Sequence, residues 1–376
     1  MRRIVIVGGG IAGVATAWHL ARDRAGSVVV LEREPLLASH SSARNAAIFQ
    51  LLEELPGMIG LAERTRAHLD GLVGRGDGGW LRRTGELFVA QAEGELSELA
   101  ALAREVEIKH AALDGAEVVK RVPELAGGAT RAGLFIREAG VVDIHAVAAR
   151  LAEAARAAGA RLEVGRDVAR VRVRGARVEG VELAGGEVVP ADAVVLAPGA
   201  WAADLGAACG APLPLVPLRR HLAQLDASAP VDARGPVVWA LGDECYFRPE
   251  SGGVLASPCD EAPWPPSLPP ADPRALDLLA HKLEAVAPPL GEATVRRAWA
   301  CLRTFAPDRV VVAGADARID GLFWLAGLGG SGMTVGVGAG EVVAALVAGR
   351  EHPLAAVLSP ARALPPPAAL GEFQTV

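Results

Sequence analysis

Three glycines near the N-terminus, Gly8, Gly10 and Gly13, constrain the fold of this chain more than any other feature. They follow the β-branched run RIVIV at 3–7 and precede apolar residues that recur at helical spacing from Ile11 to Arg24. A second β-branched run, VVVLE at 28–32, comes next. Strand, glycine turn, helix and strand make a β–α–β unit that opens a parallel sheet. In that setting Gly8 permits the tight turn, Gly10 lets the backbone approach a pyrophosphate, and Gly13 allows the helix to lie close to the strand. The amides of Ile11 and Ala12 at the helix N-terminus, aided by the helix dipole, suit the phosphates. Glu32 ends the second strand, where its carboxylate accepts ribose hydroxyls and repels a 2′-phosphate, with Arg33 beside it. The unit predicts a site for the ADP half of a dinucleotide and does not choose between NAD and FAD.

With 376 residues the chain is too long for one small core and predicts two intertwined domains. A formal net charge of -6 argues against a nucleic-acid-binding surface. Cys209, Cys245, Cys259 and Cys301 are widely spaced and form no CxxC pair, so neither a disulfide framework nor a metal site is expected. Met1-Arg2-Arg3 before an apolar run superficially resembles an export signal. The glycines at 8–10 and the helix bearing His19 and Arg22 favour a strand and turn, and a cytoplasmic protein is expected. The uncharged stretch Leu322–Gly340 is broken by glycines, which suit a turn better than a membrane span.

Along the chain the pattern predicts a helix near 45–70, a strand over RRTGELFVA (82–90) and helices over 92–106 and 145–158. Then DVARVRVRG, ARVEGVELAG and GEVVPADAVVLAPGAW read as a β-meander returning to an apolar strand. Residues 213–257 suit an antiparallel sheet, the proline-rich 262–273 a surface loop or rigid connector, and 274–287 a helix. VVVAG, LFWLAG, a glycine cluster and GAGEVVAALVAG lead back to the first sheet. The expected class is α/β: a Rossmann-like dinucleotide domain with a parallel sheet and a β-meander crossover, plus an α+β substrate domain with a largely antiparallel sheet. The expected boundaries are 1–79, 140–210 and 305–355 for the first domain, 80–139 and 211–304 for the second, and a tail at 356–376.

The choice of dinucleotide rests on the other end of the chain. In LAGLGGSGMT (325–334) a strand runs through Gly329, Gly330, Ser331 and Gly332 into a helix beginning with Met333 and Thr334. Such a turn offers backbone amides to a flavin pyrimidine, and the helix N-terminus stabilises negative charge on a reduced flavin.

Nearly the whole chain resembles the FAD-dependent D-amino-acid oxidase/dehydrogenase superfamily, which includes glycine and sarcosine oxidases. The resemblance is carried by VGGGIAG, VVVLERE, SSARNAA, GVVDIHAV, VVLAPGAW, WACLRTFAPD and GLGGSGM. It is nearest the D-arginine dehydrogenase branch through PLRRH, DECYFRPESGGVLASP and CLRTFAPD. The resemblance implies FAD as cofactor. It places the SSARNAA turn, with Ser41, Ser42, Arg44, Asn45, Ala46 and Ala47, along the pyrophosphate and isoalloxazine. Val168 would meet adenine, and Ala197, Gly199, Trp201 and Arg303 would lie beside the cofactor. It also implies oxidation of the Cα–N bond of a D-amino acid or related amino acid, with hydride passing to flavin N5 and an imine hydrolysing to a keto acid and ammonia. An N-alkyl amino acid oxidase of the sarcosine type and an FAD-binding subunit of a multi-chain amine dehydrogenase are the alternatives. Oxygen, a quinone and another carrier all stay open as electron acceptors.

An amino-acid carboxylate is best held by a planar guanidinium fork, which nominates Arg303. Tyr246 is the only tyrosine, and the resemblance implies a second carboxylate contact from its hydroxyl. Arg219 and Arg220 are adjacent on a predicted strand, so one is expected to face the site and the other solvent. Two positions depart from the D-arginine branch. Ile48 replaces a histidine as pocket wall, and Ser331 replaces an aromatic residue, which makes the pocket less polar or less crowded. Glu86 is a candidate acceptor for a cationic substrate side chain, the alternative being a solvated strand end. Glu53 and Glu54 read as an exposed helix face. The sarcosine-oxidase branch resembles this segment and has a flavin-linked cysteine matching Cys301, whereas the D-arginine branch binds FAD noncovalently. The expectation is a noncovalent cofactor and a buried Cys301 thiol.

Overall fold

The computed structural model describes residues 1–74, 79–227 and 230–366; positions 228–229 of the expected antiparallel stretch and the last ten of the expected tail lie outside them. Two large sheets organise the chain. The first has six strands in the order Val312–Ala315, Leu322–Ala326, Ala193–Leu196, Arg3–Val7, Ser27–Leu31 and Arg161–Glu163. All neighbours pair in parallel except Val312–Ala315, which runs antiparallel beside Leu322–Ala326. Helices Ile11–Arg22, Ile144–Ala157 and Gly332–Val347 cover it, burying aliphatic side chains of the strands. The crossover from Arg161–Glu163 to Ala193–Leu196 is a three-stranded antiparallel meander, Val168–Arg174, Arg177–Leu183 and Val188–Pro190. The fold class is the one the sequence predicts.

The second sheet has nine strands. Its longest pair, Val216–Asp226 with Thr294–Phe305, is antiparallel, and Val237–Ala240 pairs in parallel with Glu86–Ala90. Near the end of Thr294–Phe305 the Thr304 carbonyl accepts the Gly329 amide at 2.9 Å, so this strand meets the glycine cluster between Leu322–Ala326 and Gly332–Val347. A small third sheet joins Ile48–Phe49 and Leu81–Arg82 to Gly140–Val142.

Local differences from the sequence reading have identifiable causes. The helix expected near 45–70 runs only from Met58 to Leu72, because Pro56 and the left-handed Gly57 (φ +78°) set its start. Upstream, Ile48 and Phe49 pair with Val141 and Gly140 instead. The strand expected over RRTGELFVA breaks at Gly85 (φ +82°), and its two halves join different sheets. Within 92–106, a 3-10 turn at Glu93–Leu96 precedes the α-helix Ser97–Glu105. The helix Gly115–Arg121 was not anticipated, although its capping box, Asp114 with Glu117, is legible as D-x-x-E. In the proline-rich segment, Ala262 and Pro263 add a short strand to the second sheet.

Candidate active site

A cavity of about 520 Å³ runs between the two glycine turns. Of the candidate cofactor residues, Gly8, Gly10, Ile11, Ala12, Glu32, Arg33, Ser41, Ser42, Arg44, Asn45, Val168, Ala197, Gly199, Trp201, Arg303, Gly329, Gly330, Gly332 and Met333 line it. Helices Ile11–Arg22 and Gly332–Val347 both open on it, and neither N-cap residue turns a side chain onto its own helix amides. Ser42 Oγ accepts the Ile11 amide at 3.1 Å, and two helix N-termini in one cavity suit the phosphates and the reduced ring of a flavin dinucleotide. The Glu32 carboxylate accepts the amides of Gly9 at 2.6 Å and Glu34 at 2.8 Å, which fixes it at the strand end.

Gly13, Ala46, Ala47, Ser331 and Thr334 do not line the cavity, and each has a local task. A Cβ on Gly13 would lie 2.0 Å from the Gly8 carbonyl oxygen, so Gly13 sets how closely helix and turn approach. The SSARNAA turn is held from within. The Asn45 amide donates to the carbonyls of Ser41 and Ser42 and accepts the Ala47 N–H at 2.7 Å, supporting Ala47 at φ +58°. Ser41 Oγ donates to the Leu302 carbonyl and Trp299 Nε1 to the Arg44 carbonyl, tying the turn to the strand that carries Arg303. The Ala46 carbonyl accepts from Arg248, and Thr334 Oγ1 accepts the Gln50 amide.

Arg303 is 8% exposed and donates to the Tyr246 hydroxyl at 3.0 Å. A Cβ on Gly330 would meet its Nη1 at 2.7 Å, so the guanidinium lies directly against the glycine turn. Among the described residues four arginines are buried. Arg219 pairs with Asp272 at 3.0 Å, Arg220 with Glu261 at 2.6 Å and Arg248 with Glu250 at 2.6 Å, whereas Arg303 has no carboxylate partner. A buried cation without an anion is costly, and a bound anion would offset that cost. The expectation that one of Arg219 and Arg220 is solvated is corrected: both are buried, because each has a carboxylate on its own side of the strand.

Glu86 mirrors Arg303. It is fully buried, and neither carboxylate oxygen has a hydrogen-bond partner, so the solvated strand-end alternative is excluded. Burial, and then the charge of Glu53, push its carboxyl well above the usual range. Glu86 shares a sheet face with Phe88, whose register partner Trp239 stacks on Tyr246 at 5.0 Å. Val237, the register partner of Glu86, belongs with Ala47 and Val141 to a small apolar cluster against which Ile48 packs, and Ile48 also packs against the cluster holding Tyr246 and Cys301. Arg303 lines the main cavity, while Tyr246, Ile48 and Glu86 do not. The reading of Glu53 as an exposed helix face is also corrected. It lies in a non-helical stretch before Pro56, with Oε1 buried and unpartnered. Burial drives its carboxyl up to about 7, opposed by a hydrogen bond from Ser331. Ser331 thus turns toward Glu53 and away from the cavity.

Sequence reasoning missed several cavity residues. His40 packs against Trp201 at 4.9 Å between ring centroids, and the Arg33 guanidinium lies 3.6 Å from the centre of the same indole. Ser267, Leu268 and Pro269 of the proline-rich segment form part of the wall, a long-range contact with no local signal. Cys301 also lines the cavity, and burial pushes its thiol pKa up.

Residues 3–346 match the family described as DAO: FAD dependent oxidoreductase. Over 363 residues the chain is 28% identical to a glycine oxidase of Geobacillus kaustophilus, covering 93% of each chain. It is 28% identical to a D-amino acid dehydrogenase of Cereibacter sphaeroides, covering 93% of this chain and 92% of that protein. It is also 26% identical to the mitochondrial pyruvate dehydrogenase phosphatase regulatory subunit of Mus musculus, but spans only 41% of that protein's length. Among solved structures, the Geobacillus kaustophilus glycine oxidase superposes with a TM-score of 0.83 at 27% identity, covering 97% of this chain and 99% of that one. The fold is shared with the L-proline dehydrogenase of P. horikoshii, at a TM-score of 0.84, 21% identity and coverage of 96% and 97%. No helix among the described residues is long and apolar enough to cross a membrane. With its glycine turns, cavity and nearly full-length match, the chain belongs to the DAO family of FAD-dependent oxidoreductases.

Proposed function

We propose that this protein oxidises the Cα–N bond of an amino acid, with a D-amino acid as the preferred class, and that Arg303 and Tyr246 hold the substrate carboxylate. The observation that carries this reading is the buried Arg303 guanidinium, without a carboxylate partner, against Gly330 and bonded to Tyr246. A carboxylate received there completes the ion pair that this arginine lacks and fixes Cα beside the turn. Bound FAD supplies the hydride acceptor. The chain's own work is orientation and water exclusion: Trp239 stacks on Tyr246, and Ile48 and Trp299 pack against the apolar cluster that holds it. The product imine hydrolyses to a keto acid and ammonia. Anaerobic mixing with D-amino acids, L-amino acids and N-methyl glycines tests the reading. D-amino acids should bleach the flavin fastest, and the absence of bleaching by any amino acid would remove it.

A second feature narrows the side chain. Glu86 is a buried carboxylate without a cation, on the same sheet face as Tyr246, which favours a substrate with a cationic side chain. FAD is proposed to be noncovalent, since the Cys301 thiol is buried and disfavoured as thiolate. Acid precipitation should leave a colourless pellet. All four cysteines are unbridged, which fits a cytoplasmic setting.

A further inference from the structure

The proline-rich segment 262–273 carries six prolines in twelve residues, and both its ends are fastened to one strand, Val216–Asp226. At its start, Ala262 and Pro263 pair with Arg219 and Leu218, and the Trp264 amide donates to the Pro217 carbonyl at 3.0 Å. At its end, the Asp272 amide donates to His221 Nε2 at 2.9 Å, and Arg219 donates to the Asp272 carboxylate at 3.0 Å. The Arg219 guanidinium also lies 4.3 Å from the centre of the Trp264 ring, so one buried side chain clips both ends. Asp260 lies 2.6 Å from Nδ1 of the fully buried His221, and with the proton on Nδ1 the other nitrogen is free to accept from Asp272.

Between the clips, Ser267, Leu268 and Pro269 form part of the wall of the cofactor cavity. Trp264 Nε1 donates to Ser267 Oγ at 3.1 Å, and Ser267 Oγ donates to the Pro265 carbonyl at 2.9 Å, so the tip is braced from within. Pro269 is buried, but Leu268 is 56% exposed, among the few large apolar side chains left so open. A proline-stiffened loop with anchored ends loses little further freedom when it packs against a ligand. Exposed apolar surface at the rim of a ligand cavity is surface that the ligand can cover.

We propose that 262–273 is a cofactor-retaining strap: Leu268 and Pro269 pack against bound FAD, and the Arg219–Asp272–His221 clip holds them there. The second sheet then contributes to cofactor binding as well as to the substrate pocket. Arg219 is a positioning residue in this scheme, which accounts for its burial away from Arg303.

The test is the rate at which holoenzyme releases FAD, followed by the rise in flavin fluorescence with an excess of an unrelated apoflavoprotein as trap. Leu268→Asp should release FAD about tenfold faster or more, because an apolar contact becomes a buried carboxylate. Asp272→Asn, which weakens the clip, should shift the rate in the same direction. Val188→Asp, at an exposed apolar position on the meander outside the cavity, should leave it unchanged. Release at the wild-type rate from both strap variants would overturn the proposal. Amide exchange on the unsubstituted protein gives a second reading: FAD added to apoprotein should slow exchange at Ser267 and Leu268, and unaltered exchange there would also overturn it. Neither measurement uses a substrate, so both stand apart from the question of which amine is oxidised.

Discussion

Arg303 and Glu86 are opposite instances of one problem, a buried ionisable group without a counter-ion. Their resolutions differ because an arginine cannot shed its charge, whereas a carboxyl takes up a proton. Arg303→Lys should lower kcat/KM about 10- to 100-fold, since a point charge replaces a fork and a charge-assisted hydrogen bond is worth about 1.5–3 kcal/mol. Steady-state kinetics on FAD-saturated enzyme checks this. The proposed pairing of Glu86 with a cationic side chain requires the ionised carboxylate, and burial raises its pKa. For cationic substrates kcat/KM should therefore rise with pH, and Glu86→Gln should abolish that rise while sparing neutral substrates. Glu53 supplies a stability counterpart. Its carboxyl is at about 7 in the fold against 4.5 ordinarily, so any stabilisation is full below the lower value and is lost as pH rises through the higher one. Glu53→Gln should raise Tm at about pH 8 more than at about pH 5. Arg303 could be nominated from the sequence because carboxylate recognition has a preferred side chain, and it does line the cavity. Glu53 was not, because its burial comes from distant segments rather than from its neighbours in sequence.

At the scale of elements, the glycine turns were the most legible parts, since their residue types are dictated by close approach. A Cβ at Gly13 would collide with the Gly8 carbonyl at 2.0 Å, and one at Gly330 with the Arg303 guanidinium at 2.7 Å. The two collisions have different consequences. Gly13→Ala pushes backbone against backbone and should yield protein depleted in FAD, visible as a low flavin-to-protein absorbance ratio. Gly330→Ala displaces a side chain and should keep its FAD while raising KM for the amino acid. Elsewhere local patterns misled where long-range pairing decided. NAAIFQLLEEL has the apolar content of a helix, yet Ile48 and Phe49 are drawn into a strand by Val141 and Gly140. The break at Gly85 assigns two halves of one apparent strand to different sheets. The wall made by Ser267, Leu268 and Pro269 depends on clips from Arg219 and His221, which no local signal announces.

At the scale of the molecule, the class of fold followed from one β–α–β unit at the start and a returning strand and helix at the end. Between them the meander replaces a helical crossover, and the strand Thr294–Phe305 carries Arg303 from the second sheet to the glycine turn. Because the cofactor cavity draws on residues from both sheets, FAD should stabilise the whole protein rather than one part. Ligand at 100 times its Kd adds about 2.7 kcal/mol to a fold that binds it, so removing FAD should lower Tm in a single transition that FAD restores. Anaerobic flavin reduction by matched pairs tests most directly the proposal that Arg303 receives the substrate carboxylate. Each pair is a D-amino acid and the amine left when its carboxylate is removed. The amino acid should bleach the flavin and the amine should not, with the difference largely lost in Arg303→Lys; equal bleaching by both members of a pair would contradict the account.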